Sequence, residues 1–354
     1  VHVDLSGTQI TTPKLAEQHD GDVDTNVKTT IVNSSNEAKT VTVQQFLYEK
    51  GQEDGEPVAS SAKSDAVTLE SGSTQVVDQT FQVSKPKLWH TTNSFEEKSQ
   101  LYTVVTKIFE GENEVDSYST EFGYRYFNFD KDTGFSLNGE DMKLNGVCMH
   151  HDQGALGSVD TYRAVERQVE ILKGMGVNSI RTSHNTPSKV LVDVCNENGI
   201  ILMEEIFDGW DQHKNGNTED YASYFSEPLP EDTELLHADQ AEVWAQYDLQ
   251  ESVRRDRNDP AVVIWDIGNE VEHGSTSHFP TICQNLLDWI KAMDDRPAVL
   301  GDNKTLGNAT PVSNQMRDAI HAAGGLIGSN YGLPEALLTR FRLDHPEWRF
   351  IGTE

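Results

Sequence analysis

Two rhythms of apolar and polar residues divide the chain, and one gives way to the other near residue 128. Before that point apolar residues fall at every second position or in β-branched runs: Asn26 to Val32, Lys39 to Tyr48, Thr74 to Val83 and Leu101 to Phe109. Clusters of Gly, Asn, Asp and Ser separate them. A period of two sends alternate side chains to opposite faces, which predicts strands with one covered face. About seven short strands over roughly 100 residues predict an immunoglobulin-like β-sandwich for residues 1–127, without the cysteine pair of antibody domains.

After Asn128-Phe129-Asp130-Lys131 the rhythm becomes strand, helix, strand, helix. Apolar runs at 143–150, 177–181, 200–204, 261–267, 298–301, 326–328 and 350–352 read as seven strands. Between the first two, Val165, Val169 and Leu172 recur at helical spacing, with Asp160 placed to cap that helix. A second helix is predicted with Pro187 in its first turn and Gly199 just past its end. This alternation predicts a parallel sheet with right-handed crossovers, either a doubly wound sheet or a (β/α)8 barrel. The polar residues decide between them. His150, His184, Glu205 with Asp208, Glu270, Tyr331 and Glu354 follow six of the seven strands. A barrel puts its active groups on many strand ends, whereas an open sheet gathers them at one switch point. Residues 128–354 are therefore read as a TIM (β/α)8 barrel truncated after strand 7.

Charge removes one class of partner. With 58 acidic against 28 basic residues and a formal charge of -30, the chain lacks the Lys and Arg excess that neutralises a phosphate backbone, so no nucleic acid is expected. Three scattered cysteines, Cys148, Cys195 and Cys283, suggest neither a disulfide framework nor a zinc site. No apolar run approaches the roughly 20 residues of a membrane span. The start, Val1-His2-Val3-Asp4-Leu5, has no Met and no signal-peptide pattern, so a missing native N-terminus is expected. Localisation stays unknown, with a slight lean to the cytoplasm, and a homo-oligomer stays open.

The chemistry centres on two glutamates. Glycosidic cleavage needs one carboxyl to protonate the leaving oxygen and a second to attack or stabilise the anomeric carbon. Glu270, in Trp265-Asp266-Ile267-Gly268-Asn269-Glu270, is the candidate acid/base, and Asn269 beside it can bond a sugar hydroxyl. Glu354, ending Arg349-Phe350-Ile351-Gly352-Thr353-Glu354, is the candidate partner. The acid role calls for a Glu270 pKa raised by burial or by its neighbour. His150, His151 and His184 could suggest a metal centre, but adjacent residues of an extended chain point to opposite sides, which favours polyol binding by one or two of them. Asp208 offers a carboxylate and Trp210 an aromatic plane to a sugar. Arg181 can keep the nucleophile ionised, and Tyr331 can donate to a nearby carboxylate. For each of these a helix cap, a packed ring or a structural ion pair explains the same letters.

In order, Asn145-Gly146-Val147-Cys148-Met149-His150-His151-Asp152, Arg181-Thr182-Ser183-His184-Asn185, Glu204-Glu205-Ile206-Phe207-Asp208-Gly209-Trp210 and the Asn269-Glu270 segment resemble the barrel of glycoside hydrolase family 2, and within it the bacterial β-galactosidases. Thr120-Glu121-Phe122-Gly123-Tyr124-Arg125 resembles the end of that family's immunoglobulin-like domain. The resemblance implies a retaining exo-β-glycosidase acting on terminal β-D-galactosides by double displacement, with Glu270 as acid/base and Glu354 as nucleophile. It places His150, His184, Asp208, Asn269 and Tyr331 in the sugar subsite. It implies no cofactor. Where a magnesium-dependent branch carries Ile-Glu-Thr-His, this chain has Asp208-Gly209-Trp210-Asp211, so no metal is expected. A β-glucuronidase or β-mannosidase on the same scaffold is the rival reading. The family's jelly-roll domain and eighth strand are not in this sequence, so an inactive carbohydrate-binding fragment is the alternative from another class.

Overall fold

A computed structural model of the chain describes residues 1–271, 276–304, 309–331 and 335–354. The first part is a sandwich. One sheet runs β1 (His2–Thr11), β2 (Asp22–Val32), β6 (Thr74–Ser84), with helix α1 (Leu15–Gln18) between β1 and β2. The other runs β4 (Ala59–Ser60), β3 (Lys39–Glu49), β7 (Tyr102–Glu110), β8 (Asn113–Phe122), with β5 (Val67–Leu69) also paired to β3. Val23, Thr25, Val27, Thr29 and Ile31 of β2 face Val41, Val43, Gln45 and Leu47 of β3 across the core. Gln45 is tolerated there because Thr29 Oγ1 and Gln79 Oε1 accept from its amide at 3.1 Å each and Thr106 donates to it at 2.7 Å. Strand β1 was not among the four strands named from the sequence, since a register shift between Val3 and Thr8 breaks its alternation; Ser6 there takes φ 50° and Gly7 lies against the Asp4 backbone.

A small sheet of β9 (Phe127–Asp130), β10 (Gly134–Leu137) and β11 (Glu140–Asp141) follows, also unforeseen, and its Phe129, Phe135 and Leu137 join the core of the second part. That part is one parallel sheet whose strands neighbour one another in chain order: β12 (Gly146–Met149), β13 (Ser179–Thr182), β14 (Ile201–Glu205), β15 (Val262–Asn269), β16 (Ala298–Gly301), β17 (Leu326–Ser329) and β18 (Phe350–Gly352). Helices α2 (Tyr162–Gly174), α3 (Lys189–Asn198), α4 (Ala222–Phe225), α5 (Trp244–Asp256), α6 (Phe279–Lys291), α7 (Pro311–Ala322) and α8 (Glu335–Asp344) connect them. The sheet curls into seven strands of a barrel. Cys148 of β12 reaches the Thr353 carbonyl just past β18 through a sulfur contact of 3.3 Å. All eight residues of β15 are buried, and each large apolar side chain there contributes on the order of 1.5–3 kcal/mol.

Helix α2 is capped differently from expectation. Thr161 is its N-cap without a side-chain bond, while Asp160 accepts from Ser188 at 2.6 Å and Gln153 at 2.9 Å. Pro187 lies one residue before the α3 cap, Ser188, whose hydroxyl accepts from Leu191 N. Gly199 does end α3, in the left-handed conformation at φ 59°, and a Cβ there would strike the His90 backbone of the sandwich. The two parts are fastened at the N-terminal end of β15 and along α3. Arg125 donates to Pro260 O and Val262 O at 2.5 and 2.7 Å, and Trp89 donates to Asn196 O at 2.8 Å. The opposite end of β15 is free for chemistry.

Candidate active site

The site is assembled where the strands end. At the close of β15 the register slips between Asp266 and Asn269, and Glu270 turns into the left-handed region at φ 46°. A non-glycine residue there costs on the order of 1 kcal/mol. Two backbone bonds hold the turn, Asn269 N to Asp208 O at 3.0 Å and Glu270 N to Gly301 O at 2.7 Å. Tyr331, at φ 63° after β17, donates its N–H to the Glu354 carbonyl at 2.6 Å. Strand pairing therefore brings 270, 331 and 354 together.

Arg181, at the C-terminal half of β13 and only 3% exposed in its side chain, is the electrostatic centre. Its Nε bonds Asp266 at 2.7 Å, and its two Nη groups reach Glu205 at 2.9 Å and Glu354 at 3.2 Å. Burial opposes its charge, but Asp266 and Glu205 outweigh that and hold the guanidinium above its ordinary pKa. The arginine fits because Gly301 has no side chain; a Cβ there would fall inside the guanidinium. Burial, then Asp266, push the Glu205 carboxyl well above the usual range, with Arg181 opposing.

His184 binds Glu205 through Nδ1 at 3.0 Å. Burial, then the Arg181 charge, push its pKa down to about 4, so the ring is neutral at pH 7. Nε2 lies 3.5 Å from the Asn269 amide and 3.8 Å from Glu354, and it is an acceptor in the tautomer whose Nδ1–H donates to Glu205. The ring of exposed His150 packs edge-on to it, centroids 5.1 Å apart. Asp208 pairs with Lys214 at 2.6 Å and accepts from Asn269 at 3.3 Å. The seven residues singled out from the sequence thus gather around Arg181. Trp210 does not join them. It is fully buried, its indole N–H donating to Ile267 O at 2.8 Å, and it offers no face to a sugar.

Sequence reasoning missed two groups. Lys214, from the long segment after β14, bonds both Asp208 and the Asn269 carbonyl, the latter at 2.8 Å. Asn330, fully buried, donates from Nδ2 to Glu270 at 3.0 Å and lies 3.2 Å from Glu354. Its place between a strand and Tyr331 was the available signal.

Glu270 departs from the raised pKa expected of it as a candidate acid. Burial pushes the carboxyl up, but the Tyr331 hydroxyl, the Asn330 amide and the Lys214 charge outweigh it, and the net position is below the ordinary value. The same contact pushes the Tyr331 phenol up to about 12. Replacing Tyr331 by Phe is expected to let Glu270 titrate higher, moving the alkaline limb of the kcat/KM profile upward. An unmoved limb would show that the phenol does not act on Glu270.

A cavity of about 620 Å³ opens from His184 and Asp208 and runs past Trp210, Lys214, Tyr221 and Arg255. A second, of about 350 Å³, follows the seam between β12 and β18 and includes Arg181 and Glu354. His184, Glu205 and Asp208 each place a ligand atom within 4.8 Å of the others, the spacing of a metal site. Arg181 and Lys214 already lie against two of these three carboxylate and imidazole groups, so an added cation would face fixed positive charge.

Residues 130–324 match the family description "Glycosyl hydrolases family 2, TIM barrel domain", and residues 1–125 match "Glycosyl hydrolases family 2". The chain belongs to glycoside hydrolase family 2. Among relatives, it is 40% identical over 271 residues to the β-galactosidase BoGH2A of Bacteroides ovatus, covering 77% of this chain and 28% of that protein. A β-glucuronidase of Bacteroides fragilis is 26% identical over 292 residues, 80% of this chain and 37% of that protein. The crystal structure of a family 2 member from Bacteroides cellulosilyticus superimposes on 99% of this chain and 40% of its own, with a TM-score of 0.80 at 29% identity. The chain therefore spans less than half the length of these family 2 relatives.

Proposed function

We propose that the protein is a retaining exo-β-glycosidase that hydrolyses terminal β-D-galactosides, with Glu354 as nucleophile, Glu270 as acid/base, and His150, His184, Asp208, Asn269 and Tyr331 holding the sugar. One observation carries the retaining assignment. The Asn330 amide nitrogen lies 3.0 Å from a Glu270 oxygen and 3.2 Å from a Glu354 oxygen, so those oxygens are closer than the roughly 6.5 Å at which inverting pairs begin. A separation below that range favours direct attack by the carboxylate over attack by a water held between it and the sugar. In the first step a Glu354 oxygen bonds the anomeric carbon as the bond to the leaving oxygen breaks, and the Glu270 proton passes to that oxygen. In the second, Glu270 takes a proton from water, the oxygen of that water bonds the anomeric carbon, and the bond to Glu354 breaks. A bound sugar supports the first step by excluding water from Glu270, adding to the burial that raises its pKa.

The galactoside preference leans on the 40% identity to a β-galactosidase; the similarity to a β-glucuronidase favours glucuronides as the second reading. A metal has no part in either, given the Lys214 and Arg181 contacts above. The test is incubation with an activated 2-deoxy-2-fluoro-β-galactoside, with and without EDTA, followed by peptide mass spectrometry. An adduct on Glu354, equal in both samples, is the expected result. An adduct formed only by the glucuronide analogue moves the substrate assignment, and turnover of galactosides with inversion removes the nucleophile assignment.

A further inference from the structure

We propose that Asn330 is a positioning residue that passes one hydrogen bond between the two glutamates as negative charge moves between them. This deepens the double-displacement reading above and rests on it. The observation is a shortage of protons. The Asn330 amide nitrogen carries two N–H bonds but has three oxygens in range: Asn269 Oδ1 at 2.8 Å, Glu270 Oε1 at 3.0 Å and Glu354 Oε2 at 3.2 Å.

The orientation of the amide is fixed by chemistry. Its Oδ1 accepts from the Thr353 hydroxyl at 2.7 Å, and turning it over would aim that oxygen at two carboxylates. The nearest acceptor, Asn269 Oδ1, takes one N–H. The second must be divided between Glu270 and Glu354, and the charge on each decides which receives it. An ionised carboxylate is a stronger acceptor than a protonated or esterified one. Before reaction, Glu354 is the anion and Glu270 must carry a proton, so the N–H belongs with Glu354. After the first step Glu354 is a neutral ester and Glu270 is the anion, so the same N–H stabilises Glu270. Burial strengthens the effect, because Asn330 is wholly covered and its N–H has only these protein oxygens to choose between.

The test reads the coupling without requiring turnover. Full-length chain labelled with ¹³C at the glutamate carboxyls is titrated by NMR, and the Glu270 resonance is assigned by its loss in Glu270→Gln. Glu354→Gln imitates the neutral nucleophile and is expected to lower the Glu270 midpoint. That drop should be clearly larger with Asn330 present than in an Asn330→Ala background, the excess being the transferred bond. Equal drops overturn the proposal. Thr353→Val, which unlocks the amide but removes only a hydroxyl, gives a smaller excess in the same cycle and serves if Asn330→Ala does not fold. Kinetically, Asn330→Ala is expected to lose about ten- to a hundredfold in kcat/KM on an unactivated glycoside, with the alkaline limb moved upward. A merely structural role lowers the rate and leaves the limb in place. If the NMR excess appears but the chain hydrolyses no β-glycoside, the functional assignment fails and the coupling stands.

Discussion

Glu354→Gln is expected to reduce kcat by about ten-thousand-fold or more on every substrate, including aryl glycosides with good leaving groups. The reason is geometric. The carboxylate is aimed by Arg181 at 3.2 Å and Asn330 at 3.2 Å, and a glutamine in the same place offers no anion to the anomeric carbon. Glu354→Gly with added azide extends the test, since a small anion entering the vacated space attacks from the same side and should yield the α-glycosyl azide. Glu270→Gln should differ in kind, sparing activated substrates whose leaving group needs no proton. Comparable losses in both variants across both substrate types would refute the division of roles.

The second large effect falls on stability. Arg181→Met should cost about 3–5 kcal/mol, because Asp266 and Glu205, both fully buried, lose the charge that compensates them. Calorimetry would register this as a drop of roughly 10 °C in Tm at neutral pH. The pH dependence has a definite sign. Burial first, then neighbouring carboxylates, raise Glu204 and Glu205, and burial raises Asp266. A carboxyl raised in the folded state contributes stability that is complete below its unfolded value, near pH 4, and fades as pH climbs toward the folded value. These groups therefore make the native protein less stable as pH rises from about 4 upward. Without Arg181, Glu205 and Asp266 titrate higher still, so the decline should be steeper in the variant. A parallel decline in both proteins would mean that Arg181 is not what compensates the pair.

Much of this was legible in the letters. The seven barrel strands stand where apolar runs predicted them, because a strand covered on both faces is mostly apolar, with charged exceptions such as Arg181, Glu205 and Asp266 paired with one another. The candidate site residues stood out for a related reason. A polar residue directly after such a run lies at the mouth of the barrel, which is why His184, Asn269 and Glu354 could be picked out. What escaped was set by distance in sequence. Lys214 approaches Asp208 from a segment with no periodicity, and Asn330 matters through residues distant in sequence, Glu270 and Glu354 being 60 and 24 positions away. The direction of the Glu270 shift escaped too, since burial and donors act oppositely and their balance depends on contacts that no linear pattern records.

Gly301 shows what such packing means for variation over time. It carries no charge, yet a side chain at 301 would press on the arginine that pairs with Glu354. A side chain at 301 therefore requires Arg181 to move with it. Room for substitution here follows vacant volume, and position 301 contributes a missing side chain as well as the carbonyl that holds Glu270.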